Sequence, residues 1–208
     1  MDNKVMYSLS YGLFVLSARQ GDKDNGCITN TAIQVTTDPN RIVVAVNKSN
    51  YTHDMVKETG RFTVSILSEE AKFDLFQRFG FQSGRDTDKF AGFEAHTGRD
   101  AGGIRYVTQG SNAWLSCRVV STTDLGSHTL FLADVLDGGV LSSVPSATYA
   151  YYQAHIKPKP GASAAAPGGK KRWVCKVCGY VYEGDVLPED YICPLCKHPA
   201  SDFELLEQ

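Results

Sequence analysis

Arg41-Ile42-Val43-Val44-Ala45-Val46-Asn47-Lys48-Ser49-Asn50-Tyr51-Thr52-His53 decides the reading of the fold. Its first seven residues are a β-branched run suited to a buried strand, because branched side chains pack well on a pleated surface. Polar residues then break the run. A short helix is expected after Tyr51, with Thr52 or Asp54 as N-cap and Gly60 just past its end. Strand signals continue on both sides. Residues 12–19 form an apolar run that ends at the turn Gly21-Asp22-Lys23-Asp24-Asn25-Gly26, and residues 62–67, 113–120 and 129–135 read as three further strands. A second helix is expected over 69–79, closed by Gly80. Many strands and few helices over residues 1–157 predict a mainly β fold, a β-barrel with short helical insertions.

Beyond that region the composition changes. Residues 157–172 hold three prolines, three glycines and no bulky apolar side chain. Such a stretch buries too little surface to offset its ordering entropy. It reads as a tether with an r.m.s. span of roughly 20–25 Å. The expected organisation is a domain over 1–157, a linker over 158–171 and a small domain over 172–208. Charge divides the same way. Of 208 residues, residues 1–169 balance 16 bases against 16 acids, whereas from Trp173 onward two bases face seven acids.

The chain's net charge of −2 offers no basic field for nucleic acid. No run approaches the ~18 continuous apolar residues of a membrane span. The N-terminus opens on mixed charge, Met1-Asp2-Asn3-Lys4, without a clear small-residue cleavage site, so no signal peptide is expected and the expected compartment is the cytoplasm.

Four of the six cysteines form two C-x-x-C pairs, Cys175/Cys178 and Cys193/Cys196, separated by 14 residues. Each pair can fold a knuckle that points two sulfurs at one ion, giving a tetrahedral four-thiolate site for zinc or iron. A domain this short needs such a staple. The surrounding residues go further. Trp173 through Tyr182, Pro188 through Cys196, and Ser201-Asp202-Phe203 resemble rubredoxin over essentially all of 172–206. The resemblance implies one iron held by Cys175, Cys178, Cys193 and Cys196, cycling between ferric and ferrous states. Trp173, Tyr180, Tyr182, Tyr191 and Phe203 would supply an aromatic shell that excludes water, and knuckle N–H groups would tune the potential. Two features depart from free-standing rubredoxins. The segment between the pairs is shorter, and Lys197 stands where glycine is usual.

The larger domain carries neither G-x-G-x-x-G nor G-x-x-x-x-G-K-[ST], so a Rossmann or P-loop nucleotide site is not supported. Instead it presents, in order, the stretches 25–32, 45–53, 81–90 and 126–131, and this ordered set resembles the flavin reductase-like family of FMN-binding split barrels. The resemblance implies a split β-barrel, FMN, and a homodimer through this domain. The residue types suit the ligand. Lys48, Ser49, Ser83, Arg85 and Lys89, with the loop around Gly84 and Asn47, can offer positive charge and donors to a phosphate. Thr29, Asn30, Thr31 and Ala32 match the alternating donors and acceptors of the isoalloxazine edge. Thr52 and His53, near a helix start, can reach the phosphate or ribityl chain. His128 takes the place of a family histidine near the nicotinamide, although Ser127 stands where that family often has an acid; a plain strand-end histidine is the other reading. Cys27 reads as a small buried filler rather than a redox thiol, and Cys117 as core.

Together the halves resemble the high-molecular-weight rubredoxin family. That resemblance implies an NAD(P)H-dependent oxidoreductase in which hydride reaches FMN, electrons pass singly to iron, and iron hands them to an acceptor, customarily a flavodiiron oxygen or nitric oxide reductase. Two alternatives stay open. One is a carrier whose flavin is reduced by a separate flavoenzyme. The other is a flavin reductase serving a monooxygenase, with a zinc ribbon as docking module.

Overall fold

A computed structural model describes residues 5, 8–158, 171–176, 180–193 and 199–206. Seven strands make the main sheet: β1 (Phe14–Gln20), β2 (Lys23–Thr29), β3 (Ile33–Thr37), β4 (Asn40–Asn47), β5 (Arg61–Leu67), β8 (Ser111–Asp124) and β9 (His128–Val140). Two short strands, β6 (Thr97–Arg99) and β7 (Arg105–Val107), form a separate hairpin. The order across the sheet is β2-β1-β5-β8-β9-β4-β3, antiparallel at every pairing.

Helix α1 (Tyr51–Thr59) explains how this sheet curls. Met55 and Val56 of α1 share one core with Phe14, Leu16 and Ala18 from β1 and with Ile42, Val44 and Val46 from β4, near opposite edges of the sheet. Strands so far apart in the order can meet one helix only if the sheet wraps around it. Alternate β1 residues, Leu13 beforehand and Val15, turn to a second core. There they meet Leu75, Phe76 and Phe79 of α2 (Phe73–Gly80). Burial of both faces explains why β1 reads as an unbroken apolar run. The mainly β fold with short helical insertions is as expected.

Three local expectations are corrected. Lys23–Thr29 is a strand, not part of the turn; the turn is confined to Gly21-Asp22, and β2 pairs with β1 along seven residues. Helix α2 starts at Phe73 rather than residue 69, because Glu69 N–H is taken by Pro145 O and Ala71 N–H closes a turn onto Ser68 O. Asn50, not Thr52 or Asp54, occupies the N-cap of α1, and its side chain makes no capping bond. Gly60 does end α1 in the left-handed region, at φ 66°, donating to Val56 O.

The C-terminal domain is a three-stranded sheet ordered β11 (Val181–Glu183), β10 (Arg172–Cys175), β12 (Phe203–Leu205). Residues 159–170 of the linker expected over 158–171, together with Cys178, Cys196 and Lys197, lie outside the described residues. Among the described residues no helix is long and apolar enough to cross a membrane.

Candidate functional site

Two strand ends, a strand start and a helix start come together at one end of the barrel. β4 ends at Asn47, which pairs with His128 at the start of β9, and Lys48 N–H donates to Ser127 O at 3.0 Å. β2 ends at Thr29, whose hydroxyl lies 3.1 Å from that of Thr31. The Thr31 hydroxyl in turn donates to Ala45 O at 2.9 Å and accepts from Ala45 N–H at 3.1 Å. The segment Thr29-Asn30-Thr31-Ala32 is thus pinned beside β4, two residues before Asn47. Asn47 Oδ1 accepts both the N–H and the hydroxyl of Ser49 at 2.9 Å, which shapes the entry into α1.

A loop after α2 covers the start of α1. Gly84 is buried against Asn25, and a Cβ there would collide with Asn25 Oδ1. Asn25 is 2% exposed; its Nδ2 donates to Thr52 Oγ1 at 2.9 Å, while its Oδ1 has no partner among the described groups. Ser83 Oγ accepts Arg85 N–H at 3.2 Å. The Arg85 guanidinium bonds Asp54 Oδ2 at 2.6 Å and lies 4.9 Å from the centre of the Tyr51 ring. Asp54 also meets His53 Nδ1 at 3.0 Å, and His53 Nε2 meets Thr129 Oγ1 at 2.8 Å. The bond to His53 and then the Arg85 guanidinium hold the Asp54 carboxyl below its ordinary value. A relay Arg85–Asp54–His53–Thr129 therefore ties the loop, α1 and β9 together.

These features fit an FMN phosphate. The first turn of α1 presents N–H groups that no side-chain cap takes up, and a helix N-terminus favours an anion. Glycine at 84 lets the loop backbone pack against Asn25, which bonds Thr52 of that first turn. Asn25 Oδ1, unpartnered among the described groups, is an acceptor and suits a donor, not the phosphate itself. Ser83, Gly84 and Arg85 gather here, with Asn47, Lys48 and Ser49 adjoining. Thr52 and His53 are 0% and 4% exposed, with their side chains already bonded to Asn25, Asp54 and Thr129, so their part is to shape the first turn of α1. Lys48 already pairs with Asp124, at 2.7 and 2.8 Å, an exposed contact of small worth.

Lys89 departs from expectation. It is 4% exposed, and its ammonium donates to Gly26 O at 2.9 Å and Phe79 O at 3.1 Å, pinning β2 to the end of α2. Desolvation lowers its pKa from the ordinary lysine value. It is a strut inside the fold, not a group turned to a phosphate. His128 is half-buried, with Nδ1 2.9 Å from Ser127 Oγ. The acid of that turn, Asp124, goes to Lys48 and to Gly126 N–H, not to the imidazole. Burial pushes the Cys27 thiol up, and that of Cys117 up to about 12, so both behave as core groups. Asn25, Tyr51, Asp54 and Thr129 join the site without having been singled out as site residues. Asn25 lies in a stretch composed like a turn, and Asp54 resembles a helix cap in its local sequence.

In the small domain, Cys175 and Cys193 are each 0% exposed and pack with Phe203. Trp173, Tyr180, Tyr182, Leu187 and Tyr191 close around them. The Tyr182 and Tyr191 rings lie 4.6 Å apart, and Tyr191 meets Phe203 edge-on at 5.5 Å. The register sets Cys175 opposite Phe203, and an Ile192–Pro199 bridge flanks the second pair. Buried soft sulfurs in a dry aromatic shell fit an iron thiolate centre. Cys178 and Cys196, the second members of each pair, lie outside the described residues.

The comparisons agree with both halves. Residues 6–159 match the flavin reductase like domain, and residues 173–204 match the rubrerythrin, rubredoxin-like domain. High molecular weight rubredoxin of Moorella thermoacetica is 34% identical over 229 aligned positions, spanning 98% of this chain and 99% of that protein. Ferric-chelate reductase (NAD(P)H) of Archaeoglobus fulgidus is 39% identical over 159 positions, spanning 76% of this chain and 93% of that protein. Among solved structures, the styrene monooxygenase flavin reductase of Pseudomonas putida S12 superposes with a TM-score of 0.57 at 30% identity, covering 68% of this chain and 86% of that one. The chain belongs to the flavin reductase-like family, in the two-domain form with a C-terminal rubredoxin-like domain that high molecular weight rubredoxin shares.

Proposed function

We propose that this chain is an electron-transfer flavo-iron protein, oxidising NAD(P)H through FMN and a single iron thiolate centre. The observation that carries the reading is the pairing, in one chain, of an α1 N-terminus without a side-chain cap, beside the Arg85 loop, with two buried thiols in an aromatic shell. When bound, FMN would supply the conversion of a two-electron hydride donor into single electrons, so each hydride oxidised would serve two one-electron reductions at the iron centre, with one proton released to solvent. The protein's own part is placement. Ser83, Gly84 and Arg85, with Asn47, Lys48 and Ser49, hold the phosphate end, and Thr52 and His53 shape the first turn of α1 there. Thr29, Asn30, Thr31 and Ala32 edge the ring, His128 faces the donor side, and Cys175, Cys178, Cys193 and Cys196 hold the iron. The domain limits go with this reading: 1–157, a tether over 158–171, and 172–208. The relative named as an NAD(P)H ferric-chelate reductase supports a nicotinamide donor.

Anaerobic NADH or NADPH added to the protein as isolated tests the whole reading. Flavin and ferric-thiolate absorption should both bleach. A protein that bleaches with neither nucleotide is a carrier served by another flavoenzyme, and a chain whose thiolates are colourless holds zinc instead.

We further propose a homodimer through the larger domain and a flavodiiron-type acceptor. Edge strand β3 exposes all five of its residues, Ile33 at 61% and Val35 at 46%, as a face that a second copy would cover. Relatives named as diflavin flavoproteins share the flavin domain's sequence, which supports the acceptor class. Glu189 and Asp190 are exposed on the acidic small domain, where they can steer it toward a basic patch. Transfer to the acceptor should therefore slow as ionic strength rises from 0.01 to about 0.5 M, since the Debye length falls from ~30 Å to a few ångströms. Glu189→Lys with Asp190→Lys should copy that loss at low salt. Rates flat in salt and in the double variant would remove the acidic face from partner choice.

A further inference from the structure

The two domains touch. Phe81, just past the end of α2, is half-buried and packs into the cluster formed by Cys175, Cys193 and Phe203. Its own domain holds it from behind through the Phe73 ring, 5.9 Å away. Lys157, next to the tether, donates from Nζ to Lys176 O at 2.7 Å, and Lys176 directly follows Cys175. An apolar anchor and a charged hydrogen bond thus converge on one knuckle from two separate parts of the larger domain.

Phe81 has a second aspect. It lines a cavity of 270 Å³ together with Cys27, Ile28, Asn50, Phe79 and Tyr152. Asn50 is the N-cap of α1, where the cofactor's phosphate end is placed above. One aromatic ring therefore borders both the cavity running toward that site and the sulfur cluster of the small domain.

We propose that Phe81 and Lys157 form a docking seat on the flavin reductase-like domain for the chain's own rubredoxin-like domain, holding the Cys175 knuckle toward the flavin side. The purpose assigned to the seat rests on the flavin-to-iron reading above; the contact itself does not. A seat of one ring and one hydrogen bond is weak between free proteins. A tether supplies an effective concentration in the millimolar range, enough to populate such a contact. Weakness is also useful. Small contacts characterise electron-transfer encounters, and a loosely seated domain can leave to meet its acceptor.

Full-length chain with p-benzoylphenylalanine at position 81 tests the seat by photo-cross-linking. The expected product joins position 81 to a peptide within 171–193 of the same chain. Cross-links confined to residues 1–157, or found only between two chains, would overturn the proposal. As a second measurement, small-angle scattering of Phe81→Ser combined with Lys157→Gln should show a radius of gyration several ångströms larger than that of the parent. Phe81→Leu, which keeps an apolar anchor, should stay compact. Identical scattering from the parent and the double variant would also overturn the seat. The two readings fail separately. Iron that NADH cannot reduce in a chain that cross-links and opens as expected removes the electron route and leaves the docking.

Discussion

Cys193→Ser is expected to abolish the ferric-thiolate chromophore and unfold the C-terminal domain while the flavin stays bound. Cys193 is fully buried beside Cys175 and Phe203, so serine would present a hard, protonated hydroxyl where the ion needs a soft thiolate. Strands β10, β11 and β12 have four, three and three residues, too little sheet to stand without a staple. Structural thiolate sites in small domains supply about 10–16 kcal/mol of apparent binding energy, measured for zinc, which matches or exceeds the ~5–15 kcal/mol of a whole folded domain. Metal loss and unfolding should therefore coincide. Iron content and visible absorption would read the first, proteolysis of 172–208 the second, and bound flavin the independence of the larger domain. A red variant, or a folded chain that has lost both cofactors, would contradict a separable metal module.

What was legible in the sequence follows from how local each signal is. The strand over 41–47 could be read because branched residues announce it, and α1 because Gly60 stops it. β2 could not. Its Lys23-Asp24-Asn25-Gly26 is composed like a turn, and the reasons it is a strand lie far away in sequence. Asp24 is held by Arg19, Arg99 and Arg105. Gly26 is needed because a Cβ there would press on the Phe79 ring at 3.1 Å and on Leu16 O at 3.3 Å. The site divides in the same way. Cysteine spacing is a local pattern that points to its candidate ligands directly, and the fold shows two of them, Cys175 and Cys193, buried together. For the flavin site, residue types at α1 and in the 83–85 loop could be read, but the direction of a side chain could not. Lys89 looks like a phosphate ligand in a polar loop; only the fold shows two backbone carbonyls that need its protons. Asn25 and Asp54 matter through partners 27 and 31 residues away, and no local pattern encodes such pairs.

Phe131→Ala is expected to cost about 3–5 kcal/mol of unfolding free energy, the range for truncating a buried aromatic side chain. Phe131 is 0% exposed and stands on β9 between Val44 of β4 and Thr122 of β8. At about 2–4 °C per kcal/mol for a domain of this size, the midpoint should fall by roughly 6–20 °C. The site should feel it too. Phe131 and Thr129 are two residues apart and so share one face of β9, and together they grip His53, the ring edge-on at 5.7 Å and the hydroxyl through Nε2. Truncation removes the wall behind the imidazole, loosening the relay from His53 through Asp54 to Arg85, so flavin affinity should drop even at temperatures where the variant is fully folded. Phe62→Ala separates the two effects. Phe62 is equally buried in the same core but pairs on β5 with Cys117, away from that relay, so it should lose similar stability while its affinity holds. Flavin titration of both variants well below their midpoints makes the comparison. Equal affinity losses would mean that binding follows the general stability of the barrel, and the grip of β9 on His53 would then have no separate part in forming the site.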